Sequence, residues 1–487
     1  MKNMNTSMIT FGLAALAAAV LPMSSGAASP TTKTEAQAAL RKAVGFFQNK
    51  AGYRGAYLYK YSADLKKQEG EGLAYKTTGW TQPPGTPYVG EAYLYAYQAT
   101  GEAYLLDAAK QTAYALVASQ FRSGGWDSRF ELGAEHRKRY AYRTEPESSK
   151  RRNYTTLDDN KSQSCLMFLM HMDEELKFKD KRIRDTLDYA FDHFLKAQYP
   201  NGAWPQQFRE PPVAKDFPVK KARYPDSWSR TYPKKRYTGY YTFNDNTIAD
   251  MLSVLLEAHR IYGGKKFFEA ARKTGDFMLL AQMPEPQPGW AQQYNANMEP
   301  AWARKFEPAS ISGGESQGVM RTLITMYRAT GDKKYLDPIP RALAYYKRSQ
   351  RPDGKLARFY ELKTNKPLYL TKDDYKLTYS DANMPTHYGF IVSSGLGKIE
   401  SEYKKALETP KDRLYRPRSG KPGKISSSKS LSSRAKSAID SLDRRGAWVE
   451  KGTLKYHGSD DKTREIIDTR TVVDRVRTLA QFISASK

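Results

Sequence analysis

The sequence has a single cysteine, only six histidines and few long apolar stretches. Because Cys165 is the only cysteine, the chain can form no intramolecular disulfide and no cysteine-rich metal site. Beyond residues 1–28, no stretch approaches the roughly 20 apolar residues that a membrane-spanning helix needs. The sequence also lacks a glycine-rich phosphate loop and a recognisable Ser-His-Asp arrangement. A chain of 487 residues with these features must be stabilised by a large apolar core.

Residues 1–28 have the three-part pattern of a secretory signal. Lys2 precedes an apolar run from about Met8 to Leu21, and small residues follow at Ser24–Ala28. The apolar run is too short to cross a bilayer comfortably. We therefore expect a signal peptide and a mature protein that is secreted or periplasmic. The alternative is an uncleaved anchor, which also carries the protein out of the cytoplasm.

The charge of the chain is strongly positive, with a formal value of +27. Such a charge is informative about partners and not about fold. Nucleic acid, an anionic membrane surface and an acidic polysaccharide all fit it, but export argues against nucleic acid. The 35 tyrosines and 7 tryptophans favour sugar, although most of these rings are expected in the core. We expect an acidic polysaccharide as partner, no nucleic acid, no membrane, and a monomer.

Four helix-like segments end in a related motif that combines glutamine with glycine, proline or tryptophan. The motif recurs about every 70 to 85 residues, at Ser119–Trp126, Ala197–Pro205, Ala281–Trp290 and Ser349–Gly354, with a weaker copy at Phe46–Gly55. The sequence between the copies has helical periodicity and no alternation strong enough to indicate a sheet. These features predict an all-α fold, an (α/α) toroid of repeated helix pairs over residues 29–404. Such a ring gathers its loops at one mouth.

The composition changes near residue 405. Residues 405–436 are rich in serine, proline, glycine and basic residues, which is typical of a solvated linker. Residues 437–487 recover apolar character in Gly446–Val449 and in a helix-like stretch from Val472 to Ile483. We expect this basic C-terminal extension to form an appendage that packs on the ring.

Two short acidic motifs each come directly before an apolar helix-like run. They contain Asp158, Asp159 and Asn160 in one case and Asn244 and Asp245 in the other. Carboxylates and amides at a loop-to-helix junction offer the hard oxygen ligands that Ca²⁺ prefers. A single motif of this kind is more often a helix cap in a solvated turn. Two motifs on successive repeats favour a calcium site at the mouth of the ring.

Basic insertions lie just upstream of each acidic motif. The insertions contain Arg137–Arg139, Arg143 and Lys150–Arg152 before the first motif, and Lys220, Lys221, Arg223, Arg230 and Lys234–Arg236 before the second. At the mouth, these positive charges would surround a small acidic centre and attract a polyanion. The alternative is that they are ordinary solvated surface loops.

Several motifs follow one another between about residues 120 and 390. They are Asp158–Asn160 (Asp-Asp-Asn), Gln198–Gly202 (Gln-Tyr-Pro-Asn-Gly) with Pro205–Gln206, Phe243–Asn246 (Phe-Asn-Asp-Asn), Glu299–Arg304 (Glu-Pro-Ala-Trp-Ala-Arg) followed by Ser312–Ser316 (Ser-Gly-Gly-Glu-Ser), and Arg358–Leu362 (Arg-Phe-Tyr-Glu-Leu). In order and spacing they resemble the motifs of the family 10 polysaccharide lyases, which are pectate lyases. Five ordered matches are far more specific than any one motif.

The resemblance implies an (α/α) toroid that cleaves polygalacturonate by calcium-assisted β-elimination. It implies the following roles: Arg304 as the proton-abstracting base; Asp158, Asp159, Asn160 and Asp245 at the metal; and Arg358, Lys372, Asp158 and Asn244 at the substrate. The proton to be removed lies α to a carboxylate, so Ca²⁺ and Arg358 would stabilise the developing enolate-like charge. On chemical grounds alone, Arg304 is more typical of a substrate clamp, because the pKa of arginine lies above about 12.

The sequence departs from the family pattern in two places. Lys372 stands where the family has an arginine, which keeps the charge but loses the bidentate fork. A lysine-containing segment is replaced by Gly124–Asp127, and the enlarged basic insertions leave the exact polymer open. Three alternatives remain: a glycoside hydrolase that uses Asp158 and Asp245 as its carboxylates, a lyase for another acidic polysaccharide, and a non-catalytic wall-binding protein. Terpenoid cyclases also have glutamine-tryptophan repeats, but their apolar cavity suits neither the charge nor export.

Overall fold

The computed structural model describes residues 31–414, 422–423 and 425–486. The expected signal peptide at residues 1–28 and a central part of the expected linker therefore lie outside the described residues. The helices in the described part are α1 (Lys33–Phe46), α2 (Thr86–Thr100), α3 (Ala103–Ala118), α4 (Ala134–Arg137), α5 (Lys161–Glu175), α6 (Lys181–Ala197), α7 (Thr247–Tyr262), α8 (Lys265–Leu280), α9 (Glu315–Thr330), α10 (Ile339–Arg348), α11 (Leu396–Glu408), α12 (Lys429–Asp440) and α13 (Thr469–Ala485). None of these helices is both long and apolar enough to span a bilayer.

The helices alternate between an inner and an outer position, and only the short α4 stands apart. The inner helices follow one another in the order α13, α2, α5, α7, α9 and α11, each in contact with the next. The outer helices α3, α6, α8 and α10 each follow an inner helix in the chain and pack outside the ring, as α1 and α12 do beside α13. The protein is thus an (α/α) toroid of helix pairs, as the repeats predict.

Short strands lie at the end of the ring where the inner helices begin. They are β1 (Lys60–Ser62), β2 (Gln68–Glu69), β3 (Thr78–Trp80), β4 (Arg129–Glu131), β5 (Thr155–Thr156), β6 (Gln207–Phe208), β7 (Tyr241–Thr242), β8 (Gln293–Tyr294), β9 (Ile311–Ser312), β10 (Leu356–Ala357), β11 (Phe359–Tyr360), β12 (Pro367–Leu370), β13 (Leu377–Thr378), β14 (Ile391–Val392), β15 (Glu450–Lys451) and β16 (Glu465–Asp468). β3, β5, β7, β9, β14 and β16 lead into α2, α5, α7, α9, α11 and α13. The strands pair antiparallel in sheets of two or four, and the N-termini of the inner helices define the mouth.

The repeated glutamine joins neighbouring pairs of the ring. The side-chain amide of Gln120 donates to the carbonyl oxygen of Gly124 at 2.9 Å and to that of Thr186, on the next outer helix, also at 2.9 Å. Gln198 repeats the arrangement with Gly202 and Ala270 at 3.1 and 3.0 Å. Gln282 and Gln350 do the same in the following pairs, with bonds to Pro288, Pro338, Gly354 and Ser394. The motif therefore marks the end of an outer helix and its attachment to the next pair.

A further copy of the motif lies at the C-terminus. The indole nitrogen of Trp126 donates to the carbonyl oxygen of Leu116, and that of Trp448 donates to Ala438 in the same way. Gly446 has a left-handed φ of 97°, close to the 102° of Gly124 in the earlier copy. α13 then packs against α1 and α2. In the structure, residues 437–486 therefore pack as part of the ring, and the expected boundary at residue 436 falls inside α12.

Candidate active site

The two acidic motifs form matching turns at the mouth, directly before α5 and α7. Asp158–Asn160 and Asn244–Asn246 each make one 3-10 turn. Asp159 and Asp245 both have left-handed backbone conformations, with φ of 51° and 47°, and the asparagine that follows each is left-handed too. Asparagine and aspartate tolerate this conformation better than other L-residues. The shared turn aims the acidic side chains of two neighbouring pairs at one point.

The carboxylates of Asp158, Asp159 and Asp245 meet at this point. One oxygen from each lies within 4.8 Å of the other two. Burial and the neighbouring carboxylates raise the pKa of Asp245 to about 8. Oδ1 of Asp158 is buried and has no hydrogen-bond partner within the described residues. The three carboxylates are close enough to share one cation, which would satisfy this oxygen and favour ionised Asp245.

Lys161, the first residue of α5, lies against the acidic cluster. Its Nζ is 3.3 Å from Oδ2 of both Asp158 and Asp159. Burial opposes the charge of Lys161, but the two carboxylates outweigh this effect and raise its pKa. Burial likewise opposes the charge of Asp158, yet Lys161 holds the pKa of that carboxyl below its usual value. Asp245 is the member of the cluster that makes no ion pair with Lys161.

The two asparagines of the motifs have different surroundings. Asn244 is buried; its Nδ2 donates to Oδ2 of Asp245 at 2.6 Å, and its Oδ1 accepts from Gln292 at 2.5 Å. In this structure Asn244 therefore orients Asp245. Asn160 is half-buried at the N-terminus of α5, beside the cluster. Their predicted roles toward substrate and metal remain predictions.

Arg304 lies close to Asp245, the carboxylate that makes no ion pair with Lys161. Its Nη2 is 3.6 Å from Oδ2 of Asp245, and its Nε and Nη2 donate to the two carboxylate oxygens of Glu307 at 2.7 and 2.5 Å. Glu307 is fully buried and also accepts from Gln292 at 2.8 Å and from the hydroxyl of Tyr388 at 2.9 Å. Burial opposes the charge of Arg304, but Glu307 outweighs it and raises the pKa further. Arg304 is thus a protonated guanidinium in this structure.

Arg358 lies near Arg304, with one tyrosine ring against both. The guanidinium of Arg358 is 4.7 Å from the ring centre of Tyr388, and that of Arg304 is 5.6 Å from the same centre. Arg358 donates to Glu315 at 2.6 Å and to the carbonyl oxygen of Gly389 at 2.7 Å. These contacts fix the two cations side by side. A substrate carboxylate could be bound by Arg358 while Arg304 faces the cluster.

A cleft of about 520 Å³ connects the acidic cluster with Arg358. Its walls include Asp245, Glu315, Arg321 and Arg358. The N-termini of α5, α7 and α9 point toward this region, and their dipoles favour negatively charged ligands there. The cleft therefore combines a cation-binding cluster with groups that attract anions.

Lys372 lies outside this group of contacts. It is exposed in the loop between β12 and β13, and its backbone nitrogen donates to the carbonyl oxygen of Asn383 at 2.9 Å. The second departure from the family pattern, Asp127, is buried and forms an ion pair with Arg152 of the first basic insertion. Part of the charge of that insertion is therefore neutralised by a buried carboxylate. The role of Lys372 remains a prediction.

Four residues of the site were not assigned roles from the sequence: Lys161, Glu307, Glu315 and Tyr388. The sequence carries one signal for Lys161. A lysine in the first turn of a helix is unfavourable with the helix dipole, so its presence indicates a neighbouring negative charge. Glu315 falls in the quoted Ser-Gly-Gly-Glu-Ser motif and Glu307 comes three residues after Arg304. For Tyr388 the sequence carries no signal among its 35 tyrosines.

Part of the chain that forms this site matches a known protein family. Residues 134–326 match the family model described as pectic acid lyase. The matched region contains Asp158, Asp159, Asp245 and Arg304, whereas Arg358 lies beyond it, and the match supports a polysaccharide lyase. A search of curated proteins finds no match.

The fold of the chain is similar to several solved structures. A family 10 polysaccharide lyase from Cellvibrio cellulosa is 21% identical, with a TM-score of 0.45, over 66% of this chain and 97% of that one. A mutant of that lyase in complex with trigalacturonic acid is 20% identical over 66% and 98%, with a TM-score of 0.43. A family 76 α-mannanase from Bacteroides thetaiotaomicron is 12% identical over 94% and 96%, with a TM-score of 0.37.

Proposed function

We propose that the protein is an exported, calcium-dependent pectate lyase that cleaves polygalacturonate by β-elimination. The observation that carries the proposal is the position of Arg304, 3.6 Å from Asp245 of the three-carboxylate cluster, inside the region that matches the pectic acid lyases. A glycoside hydrolase could also draw on Asp158 and Asp245, but it would need no third carboxylate and no pair of arginines beside them.

Calcium fits the residues of the cluster. Asp158, Asp159 and Asp245 supply carboxylate oxygens, which are the ligands that this ion prefers, and Asn160 is beside them as a further oxygen donor. The unpartnered Oδ1 of Asp158 and the raised pKa of Asp245 both support a cation here. When bound, Ca²⁺ would neutralise a uronate carboxylate and so make the proton on the adjacent ring carbon more acidic.

The residues of the chain then have separate tasks in the elimination. Arg358 pairs with a uronate carboxylate and stabilises the negative charge that develops on it. Arg304, in its neutral form, accepts the proton from C5; the electron pair of that C–H bond forms the C4–C5 double bond. The bond from C4 to the glycosidic oxygen breaks, and this oxygen takes a proton from solvent. The products are a chain with a new reducing end and a chain that begins with an unsaturated sugar.

The ion pair between Arg304 and Glu307 opposes this use of Arg304. A base must first lose its proton, and Glu307 raises the pKa of Arg304. Substrate and metal bring new charges to the site, and a divalent cation beside Asp245 removes the favourable effect of that carboxylate on the guanidinium. The proposal therefore requires that Arg304 deprotonate only in the loaded site.

The test is the ultraviolet absorbance of polygalacturonate during incubation with the purified protein, with calcium or with a chelator, beside Arg304→Ala. We expect an absorbance rise from the unsaturated product that needs calcium and falls at least about a thousandfold in the variant. Reducing sugar without an absorbance rise would establish a hydrolase instead. Binding of the polymer without any product would establish a non-catalytic protein, and activity only on another uronate polymer would change the substrate.

Export is part of the proposal and has its own measurement. The mass of the protein recovered from the producing cells would show removal of about 28 residues. Recovery at full mass in the membrane fraction would favour the uncleaved anchor.

A further inference from the structure

The second basic insertion, residues 209–240 between β6 and β7, is long and positively charged. It contains nine basic and three acidic residues and has only one turn of 3-10 helix, at Ala214–Asp216. Loops of this length without secondary structure are uncommon in compact domains and are often binding loops. Its contacts decide whether it is a solvated surface loop or part of a binding surface.

The insertion is fixed to the mouth by two of its arginines. Arg223 forms an ion pair with Glu299, and Arg230 forms one with Glu361. The backbone nitrogen of Ala222 also donates to the carbonyl oxygen of Leu280 at 2.7 Å. Glu299 and Glu361 belong to the motifs that contain Arg304 and Arg358. The insertion therefore lies along the edge of the candidate active site.

The next part of the insertion approaches Arg304. The ring of Tyr232 is 6.0 Å from that of Trp302, whose indole nitrogen donates to the carbonyl oxygen of Arg304 at 2.9 Å. Tyr237 is near enough for the charges of Arg304, Glu307 and Asp158 to act on its hydroxyl. Between these two tyrosines the chain carries three successive basic residues, Lys234, Lys235 and Arg236.

These three basic residues are exposed beside the cleft. No ion pair of Lys234, Lys235 or Arg236 is seen in the described parts of the chain. Nε of Arg236 donates to the hydroxyl of Thr238 at 3.3 Å, and its guanidinium lies 6.0 Å from the ring centre of Tyr154, which follows the first basic insertion. The two insertions thus approach each other near the acidic cluster, where Lys234, Lys235 and Arg236 have no carboxylate partner among the described residues.

We propose that Lys234, Lys235 and Arg236, together with Tyr232 and Trp302, form an extension subsite that holds the part of a polyanionic sugar chain leaving the catalytic cleft. This inference rests on the proposed function, because it takes the polymer to be a polyuronate. Exposed positive charges attract carboxylates repeated along a chain, and this attraction weakens as salt screens it. The aromatic rings offer an apolar face for a sugar ring. A chain too short to leave the cleft gains nothing from the subsite.

The test compares two triple variants of the full-length protein on a long and a short substrate. The first is Lys234→Glu, Lys235→Glu and Arg236→Glu. The matched control is Lys265→Glu, Lys266→Glu and Arg272→Glu, which changes two lysines and an arginine exposed on the outer helix α8. KM and kcat are measured on polygalacturonate and on trigalacturonate at low and high salt, with circular dichroism to verify folding.

We expect the first variant to raise KM for the polymer about fivefold at low salt, with a smaller increase at high salt. The loss in kcat/KM for trigalacturonate is expected to be less than half as large, and the control variant is expected to behave like the unchanged protein on both substrates. Equal losses on both substrates, or a polymer KM within about 1.5-fold of the control, would overturn the subsite.

Retention of the protein in gels that contain polygalacturonate separates failure of the subsite from failure of the proposed function. If the unchanged protein binds the polymer but does not cleave it, weaker retention of the first variant than of the control still supports the subsite. If both variants are retained equally, or if the unchanged protein is not retained at all, the subsite is wrong.

Discussion

At the scale of single residues, the partner of Arg304 sets the chemistry that Arg304 can perform. Glu307 binds the guanidinium through two hydrogen bonds and keeps it charged. Neutral guanidine is scarce at ordinary pH, because the pKa of arginine lies above about 12 even without such a partner. If Arg304 is the base, the rate must rise with pH as this neutral form becomes available. If Arg304 serves only as a cation, no such rise is required of it.

Substitution of Glu307 distinguishes the two roles. We expect Glu307→Gln to lower the pKa of Arg304, because it removes the negative charge that raises that pKa, while the amide can keep one hydrogen bond to the guanidinium. The rising limb of the pH profile of kcat/KM should then move to lower pH, although the maximal rate falls. The profile is measured from pH 6 to pH 11 by the absorbance assay. A limb at an unchanged pH, with the rate lowered uniformly, would show that Arg304 acts as a cation and not as the base.

Calcium affinity should depend on pH through Asp245. Burial and its two carboxylate neighbours raise the pKa of Asp245 to about 8, so protons compete with the metal below that pH. We expect the dissociation constant for Ca²⁺ to fall roughly 25-fold between pH 6.5 and pH 8.5. Isothermal titration calorimetry with the metal alone measures it. In Asp245→Asn the affinity should be lower and nearly independent of pH over this range, and a pH dependence retained in that variant would contradict the assignment.

The acidic residues of this site could be predicted from the sequence, but their partners could not. Asp158, Asp159 and Asp245 occur in short motifs directly before helices, so composition and position together indicate their chemistry. Lys161 and Glu307 lie only three residues from Asp158 and Arg304, but whether such neighbours make contact depends on the local backbone conformation and on burial. A lysine or glutamate at such positions is ordinarily a solvated surface residue, and only the folded structure brings it to a buried carboxylate or guanidinium.

At the scale of elements, a charged network joins three inner helices well below the mouth. His171 of α5 lies 2.7 Å from Glu91 of α2 and 3.0 Å from Glu257 of α7. Burial opposes its charge, but the two carboxylates outweigh burial and raise the pKa of His171 to about 10. His171 also lowers the pKa of Glu257 to about 2, against the effect of burial and with the help of Arg260. The histidine is therefore an imidazolium that bridges neighbouring helices.

The network predicts a characteristic dependence of stability on pH. A histidine with a raised pKa contributes fully below the unfolded-state value of 6.5, and the contribution is lost as the pH rises through about 10. The contribution of Glu257 is present above its unfolded-state value of 4.5 and is lost as the pH falls toward about 2. The stability difference between the unchanged protein and His171→Gln should thus be largest near pH 5 to 6.5 and shrink toward pH 10.

Urea unfolding at pH 6 and pH 9.5 measures this difference. The control is His259→Gln on α7, where the imidazole lies 3.4 Å from the carbonyl oxygen of Gly264 and against the ring of Phe268, with no ion pair seen in the described residues. We expect a loss of about 2 to 4 kcal/mol for His171→Gln at pH 6, since it removes the cation beside half-buried Glu91 and leaves Glu257 with Arg260 alone. An equal loss at both pH values would show that the effect of His171 comes from packing.

Among the elements, the helix pairs could be predicted from the sequence and the strands could not. Helical periodicity and the repeated glutamine were sufficient for the helix pairs, because each glutamine has the same structural task at the end of an outer helix. The strands escaped detection because most have only two or three residues, too few for an alternation of polar and apolar side chains. The last copy of the repeat was missed because it lacks the glutamine and keeps only Gly446 and Trp448.

At the scale of the whole molecule, α13 is an inner helix of the ring, so its core side chains should affect the stability of the entire fold. Leu479 is completely buried. We expect Leu479→Ala to cost about 2 to 5 kcal/mol and Asp474→Ala, an exposed change on the same helix, to cost less than about 0.5 kcal/mol. Thermal unfolding followed together with loss of lyase activity provides the measurement. Two separate unfolding transitions would be the contrary result. If Leu479→Ala shifted only one of them, and that transition left activity intact, residues 437–486 would be an appendage, as the sequence predicts.

The first and last helices of the described chain, α1 and α13, contact each other. The same ring could therefore form if the helix pairs began at a different point along the chain. α13 runs alongside α2 in the same direction, with Gln481 donating to the hydroxyl of Tyr95 at 3.1 Å, and so it ends at the base of the ring. α1 begins at the same base, where Gln37 donates to Glu102 at 2.9 Å just beyond the end of α2. A short peptide from residue 486 to residue 31 would therefore close the backbone into a circle, and a circular permutant opened at the exposed turn between α7 and α8 would retain every helix pair and the complete mouth.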